Sequence, residues 1–92
     1  MIKTFRCTDT ANLFHGRRVR RWVNMETAAM RKLAMLNRAA TLGDLRIPPA
    51  NRLEALKGNQ HGQYSIRVND QFRICFRWRN GDAHEVEIVD YH

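Results

Sequence analysis

Lys57, Arg67, Arg73, Asp90, Tyr91 and His92 are side chains of the types that handle a phosphodiester. Cleavage of RNA by its own 2′-hydroxyl needs no metal. It needs a base near that hydroxyl, cations or donors for the charge developing on the phosphate, and an acid for the departing 5′-oxygen. Lys57, Arg67 and Arg73 supply cations, and Tyr91 and His92 supply groups that move or orient protons. Asp90, Tyr91 and His92 stand in a row, so strict alternation cannot put all three on one face. The segment must curl if they share a site; otherwise a histidine in that position is incidental.

Other chemistries lack their residues. His15, His61, His84 and His92 have no metal-ligand spacing, and the carboxylates form no cluster, so neither a metal nor another cofactor is expected. Neither G-x-G-x-x-G nor G-x-x-x-x-G-K occurs. Ser65 sits in a strand pattern without a nucleophile elbow. Cys7 and Cys75 form no C-x-x-C pair. The segment Met1 to Arg6 has no long apolar stretch, and no apolar run is long enough to span a membrane. Reduced thiols and the absence of these segments point to a cytoplasmic protein.

The charge has a direction. The 92 residues carry 16 Lys+Arg against 9 Asp+Glu, a formal net charge of +7. Thirteen of the basic residues are Arg. Arginine's planar fork suits phosphate, so an anionic partner fits, as does a merely solvated basic surface. Arg17, Arg18, Arg20 and Arg21 form the densest cluster, with Trp22 behind them. The cluster lies between helical patterns, unlike the basic second helix of a helix-turn-helix reader.

The elements that must position these groups follow from periodicity. Residues 2–6 alternate as a short strand. Thr8 or Asp9 is placed to cap a short helix through His15, which Gly16 ends. Asn24 is the next cap candidate. Met25, Ala29, Leu33, Leu36 and Ala40 then mark the apolar stripe of a helix over 25–40. Pro48-Pro49 breaks the connector and extends Ile47. Residues 51–56 alternate weakly as a short strand, and 57–62 read as a loop. Residues 63–68, 72–79 and 83–90 alternate with period 2, an antiparallel meander with one buried face.

Register follows from the alternation. A loop of Asn69-Asp70-Gln71 sets Ile66 opposite Ile74 and Arg67 opposite Arg73. A two-residue Asn80-Gly81 turn would set Phe76 opposite Glu85, mixing the faces. A three-residue loop, Asn80-Gly81-Asp82, sets Phe76 opposite Val86 and Arg77 opposite Glu85, and is preferred for that reason. Arg67 opposite Arg73 breaks the rule of opposite-charge pairing. An anion seated between them would account for it; so would two long side chains splayed into water.

The run Leu56-Lys57-Gly58-Asn59-Gln60-His61-Gly62-Gln63-Tyr64-Ser65-Ile66-Arg67-Val68-Asn69-Asp70-Gln71-Phe72-Arg73-Ile74-Cys75-Phe76-Arg77-Trp78 resembles the signature of the RelE/HigB toxin superfamily. The ending Val86-Glu87-Ile88-Val89-Asp90-Tyr91-His92 is similar to its HigB branch, GraT-like members included. The likeness extends to Met1-Ile2-Lys3-Thr4-Phe5 and Arg31-Lys32-Leu33-Ala34-Met35-Leu36, so it covers residues 1–92 as one toxin domain. It implies an α+β microbial-ribonuclease-type fold, with N-terminal helices on a twisted antiparallel sheet. It implies messenger RNA cleavage on the translating ribosome at the A site, and neutralisation by a HigA-type helix-turn-helix antitoxin. The resulting complex would bind operator DNA through the antitoxin.

By motif position, the resemblance makes Lys57 and Arg73 the cations that stabilise the transition state. It makes Asp90, Tyr91 and His92 the catalytic group, and Arg67 a further phosphate contact. Some relatives carry a histidine just before Leu-Lys-Gly where this chain has Glu54, which shifts proton transfer toward Tyr91 and His92. Arg17, Arg18, Arg20 and Arg21 could meet ribosomal RNA, an acidic antitoxin patch or only water; backbone phosphate is the default. Two other functions fit the same charge: a ribosome- or RNA-binding inhibitor that does not cleave, and an inactive relative that serves as co-repressor with its antitoxin.

Overall fold

The computed structural model describes residues 1–57 and 62–91. Helix α1 spans Thr8–Phe14, with Cys7 rather than Thr8 or Asp9 in the cap position. Its end is the one predicted. Gly16 takes φ +86°. The N–H groups of Gly16 and Arg17 close back on the carbonyls of Leu13 and Asn12 at 3.0 and 2.9 Å, the paired closure that a left-handed glycine permits. The expected helix over 25–40 is one continuous helix, shorter by Met25 at its start and by residues 39–40 at its end. A 3-10 turn covers Arg20–Met25 and α2 covers Glu26–Arg38. Asn24 lies within that turn and caps nothing. Ala29, Leu33 and Leu36, on the predicted stripe, are fully buried.

Two more 3-10 turns, Leu42–Arg46 and Pro49–Asn51, form the connector. Thr41 and Asp44 cap the first reciprocally: Asp44 N–H donates to Thr41 Oγ1, and the Asp44 carboxylate accepts from the N–H groups of Ala40 and Thr41. Those backbone donors hold the Asp44 carboxyl below its ordinary range. Ile47 is extended before Pro48, as its position requires.

Strands β1 (Glu54–Ala55), β2 (Gln63–Arg67), β3 (Phe72–Arg79) and β4 (Asp82–Asp90) form one antiparallel sheet in chain order. The β2–β3 register is the predicted one, with Ile66 on Ile74 and Arg67 on Arg73. Asn69 Oδ1 accepts from the N–H groups of Gln71 and Phe72 and shapes that turn.

The β3–β4 turn differs from the expectation. It has two residues, Asn80-Gly81, both at positive φ (53° and 80°), so Arg79 pairs with Asp82 and Arg77 with His84. The face conflict is resolved by a bulge. Glu85 takes φ +52° and the register shifts between Cys75 and Arg77, after which Ile74 meets Ile88 as predicted. A bulge inserts one residue and reverses the alternation. Ala83 and Val86, three apart, are accordingly both fully buried, and His84 is not.

Residues 2–6 form two isolated bridges instead of a strand. Ile2 and Phe5 lie parallel to Ala83 and Val86, and the N–H groups of Lys3 and Arg6 donate to those residues' carbonyls at 2.8 and 3.0 Å. They cover the outer edge of β4, which would otherwise present unpaired backbone groups. One face of the sheet carries Ile66, Ile74, Phe76, Val86 and Ile88 into the core with Leu13, Leu33, Leu36 and Leu45. The other carries Ser65, Arg67, Arg73, Cys75 and Arg77.

Candidate functional site

That second face is not the plain solvent face that alternation implies. Ser65 is fully buried, and Cys75 and Arg73 are 7% and 8% exposed. Alternation says which way a side chain points. It does not say what later covers it. Burial, with the Glu87 carboxylate nearby, pushes the Cys75 thiol up to about 11, so it stays protonated.

Arg73 is the centre of the site. Its Nε donates to Ser65 Oγ at 2.8 Å. Its Nη2 donates to the Arg52 carbonyl at 2.6 Å and to the Ser65 carbonyl at 3.3 Å. The Glu54 carboxylate stands 3.6 Å from the same nitrogen, and the guanidinium lies 5.7 Å from the centre of the Tyr91 ring. Nη1 has no hydrogen bond among the described residues. The guanidinium is therefore held along one edge, with donors left on the other, and a bound arginine fork of this kind can meet two phosphate oxygens at once.

The neighbours follow from register. Arg67 stands directly across the ladder from Arg73, and its charge is met by Asp70 in an ion pair. Glu54 meets Arg73. The opposed cations thus each have a carboxylate, and neither splays freely into water. Asp90 accepts from Gln71 Nε2 at 2.9 Å, and Tyr91 N–H donates to the Gln71 carbonyl at 2.7 Å. The β2–β3 turn thereby carries the segment that brings Tyr91 to Arg73. Tyr91 itself is 52% exposed, available to stack on a base. Lys57 is exposed, two residues beyond β1, and forms no hydrogen bond or ion pair with a described residue. His92 and most of the expected 57–62 loop, residues 58–61, lie outside the described residues.

Glu54, which the sequence marks only by its contrast with relatives, is thus a member of the site. Its two-residue strand is so short that spacing alone could not aim it at Arg73; the Glu54–Ser65 pairing does. The arginine cluster is placed elsewhere, on the helical side. Arg17 donates to Asn12 at 3.1 Å, Arg18 lies 3.8 Å from Glu26, and Arg21 pairs with Asp9 at 3.1 Å while covering Trp22. Arg20 is exposed with no partner among the described residues. Also among the described residues, no three His, Cys, Asp or Glu side chains gather as a metal site, and no helix is long and apolar enough to cross a membrane.

Two helices packed on one face of a four-stranded antiparallel sheet make the fold of RelE-like toxins. A YafQ variant from E. coli superposes with TM-score 0.67 at 11% identity, covering 99% of this chain and 94% of that one. YoeB in the YoeB–YefM complex from Staphylococcus aureus superposes with TM-score 0.61 at 16% identity, covering 100% and 98%. Residues 11–92 match the HigB-like toxin family, RelE-like toxins of the type II toxin–antitoxin system HigB. The chain belongs to that family. It is similar to Toxin HigB-1 of Vibrio cholerae, 52% identical over 60 residues, 65% of this chain and 63% of that protein. It is also similar to Endoribonuclease HigB of Proteus vulgaris, 36% identical over 61 residues, 66% and 65% of the two chains. The chain spans just under two thirds of the length of these curated relatives.

Proposed function

We propose that this chain is an endoribonuclease toxin that cuts messenger RNA on the translating ribosome and so stops translation. The supporting observation is Arg73, held by Ser65 and Arg52 with donors to spare, beside a carboxylate and an exposed aromatic ring. Arg73 and Lys57 bind and neutralise the scissile phosphate, and Arg67 extends the cradle. The RNA 2′-oxygen attacks phosphorus, giving a 2′,3′-cyclic phosphate, and the 5′-oxygen leaves with a proton. Glu54 is placed to take the 2′-hydroxyl proton when the phosphate displaces it from Arg73. His92, oriented by Asp90, returns a proton to the leaving oxygen, and Tyr91 stacks on a base or donates. No metal enters these steps.

Arg17, Arg18, Arg20 and Arg21 are assigned to ribosomal RNA backbone. A HigA-type helix-turn-helix antitoxin is the partner that neutralises the toxin and carries the complex to operator DNA. The setting is the bacterial cytoplasm. Mapping of RNA 5′ ends after brief induction, with translation running or blocked, is the test. New ends that depend on translation are expected. Growth arrest without new ends would replace this reading by a binding-only inhibitor, and neither arrest nor ends would leave an inactive co-repressor.

A further inference from the structure

The carbonyl that orients Arg73 belongs to a residue in an uncommon conformation. Arg52 sits at φ 45° and ψ 57°, the left-handed region that residues with a side chain seldom adopt. It follows directly on Asn51, which is fully buried. Asn51 Oδ1 accepts from Lys32 Nζ at 2.5 Å. Its Nδ2 donates to the Leu45 carbonyl at 3.1 Å and lies 3.0 Å from Met35 Sδ. Its backbone N–H donates to the Pro48 carbonyl at 2.9 Å. One amide thus joins α2, the 42–46 turn and the 49–51 turn, just before the chain presents the Arg52 carbonyl to Arg73.

Lys32 is an odd choice for mere packing. It is 6% exposed. Burial, then the Arg31 and Arg67 guanidiniums, lowers its pKa. A buried cation among cations is costly unless it is bonded, and an apolar pair would fill the same space more cheaply. What the polar pair adds is direction: it fixes the Asn51 amide, and through it the turn at Arg52.

We infer that Asn51, locked by Lys32, is a positioning residue for Arg73. The Lys32–Asn51 bond sets the Arg52 carbonyl, which turns the guanidinium so that Nη1 faces outward. The inference rests on the reading of Arg73 as the phosphate-binding cation.

Solvent exchange of the Arg73 Nη2–H protons, which bond the Arg52 carbonyl, followed by nitrogen-edited NMR and assigned with Arg73→Lys, tests it without relying on activity. Asn51→Ala should speed that exchange by about tenfold or more, as expected for a bond that opens locally. The single-turnover cleavage rate should fall alongside, by a larger factor than RNA affinity. Lys32→Met, which keeps the length of the stem, should move both readouts in the same direction and serves if Asn51→Ala does not fold. Unchanged Arg73 exchange in a folded variant would overturn the inference. If the exchange changes but the native protein cuts no RNA, the functional reading falls and the positioning stands.

Discussion

Replacing Arg73 with Lys keeps the charge and removes the fork. Lysine cannot reach Ser65 Oγ and the Arg52 carbonyl together while still presenting a donor outward. We expect Arg73→Lys to lower the cleavage rate by on the order of 10²-fold, the scale of losing one transition-state donor, measured at saturating ribosomes. Glu54→Gln separates two roles of its carboxylate. If Glu54 is the base, the rate falls by roughly 10²–10⁴-fold and the acidic limb of the pH–rate profile is lost. A profile with that limb intact would reduce Glu54 to a counter-ion of Arg73. Cys75 gives a prediction about stability. Its thiol titrates at about 11 in the folded chain against 9.0 unfolded. Between those values the unfolded chain has released a proton that the folded chain keeps, so stability falls as pH rises through that window. Urea midpoints across the window should show that decline in the native chain and a shallower one in Cys75→Ala.

Among the elements, Gly16 offers the clearest substitution. It has positive φ, and nothing lies within 4 Å of the position that a Cβ would take. Gly16→Ala should therefore cost only the left-handed backbone term, about 1–2 kcal/mol, read as a lowered denaturation midpoint. The three long strands were legible because each alternates over at least five residues, and the β2–β3 register followed from matching apolar faces. The Glu85 bulge was not legible. A glutamate at positive φ has no mark in the sequence, and its effect, Ala83 and Val86 both turned inward, looks like an ordinary lapse in alternation. The predicted Arg77–Glu85 ion pair forms all the same, at 3.1 Å, because long side chains span a one-residue shift. At the site, the types and the ladder position of Arg67 and Arg73 could be read in advance. The burial of Arg73 could not, since its cover comes from Arg52, Glu54 and Tyr91, about 20 residues away in either direction.

For the whole molecule, the +7 charge divides into parts. Arg77 is paired with Glu85, and Arg6 bridges Glu85 and Glu87. Arg67 and Arg73 face each other across β2 and β3, Lys57 is exposed beyond β1, and with the RNA contacts proposed above these three form one group; the arginine cluster lies on the helical side. Three phosphate contacts on free single-stranded RNA imply a slope of log affinity against log salt of about −2, at roughly −0.7 per contact. Binding to ribosomes should show a steeper slope, and replacing Arg17, Arg18, Arg20 and Arg21 together with Gln should remove the excess. The bridges from residues 2–6 to β4 bear on something else, the order in which the chain is made. Glu85 N–H donates to Thr4 Oγ1 across 81 residues, and Ile88 N–H donates to Thr10 Oγ1 across 78. Apart from the Ile2 N–H, which donates to Asn37 Oδ1, the edge bonds of residues 2–6 wait for β4 to be made. A nascent chain halted before residue 82 has already made β3 without its β4 neighbour, and an open, apolar strand edge of that kind recruits other chains. Truncations within β4 should therefore yield aggregates, not merely inactive protein.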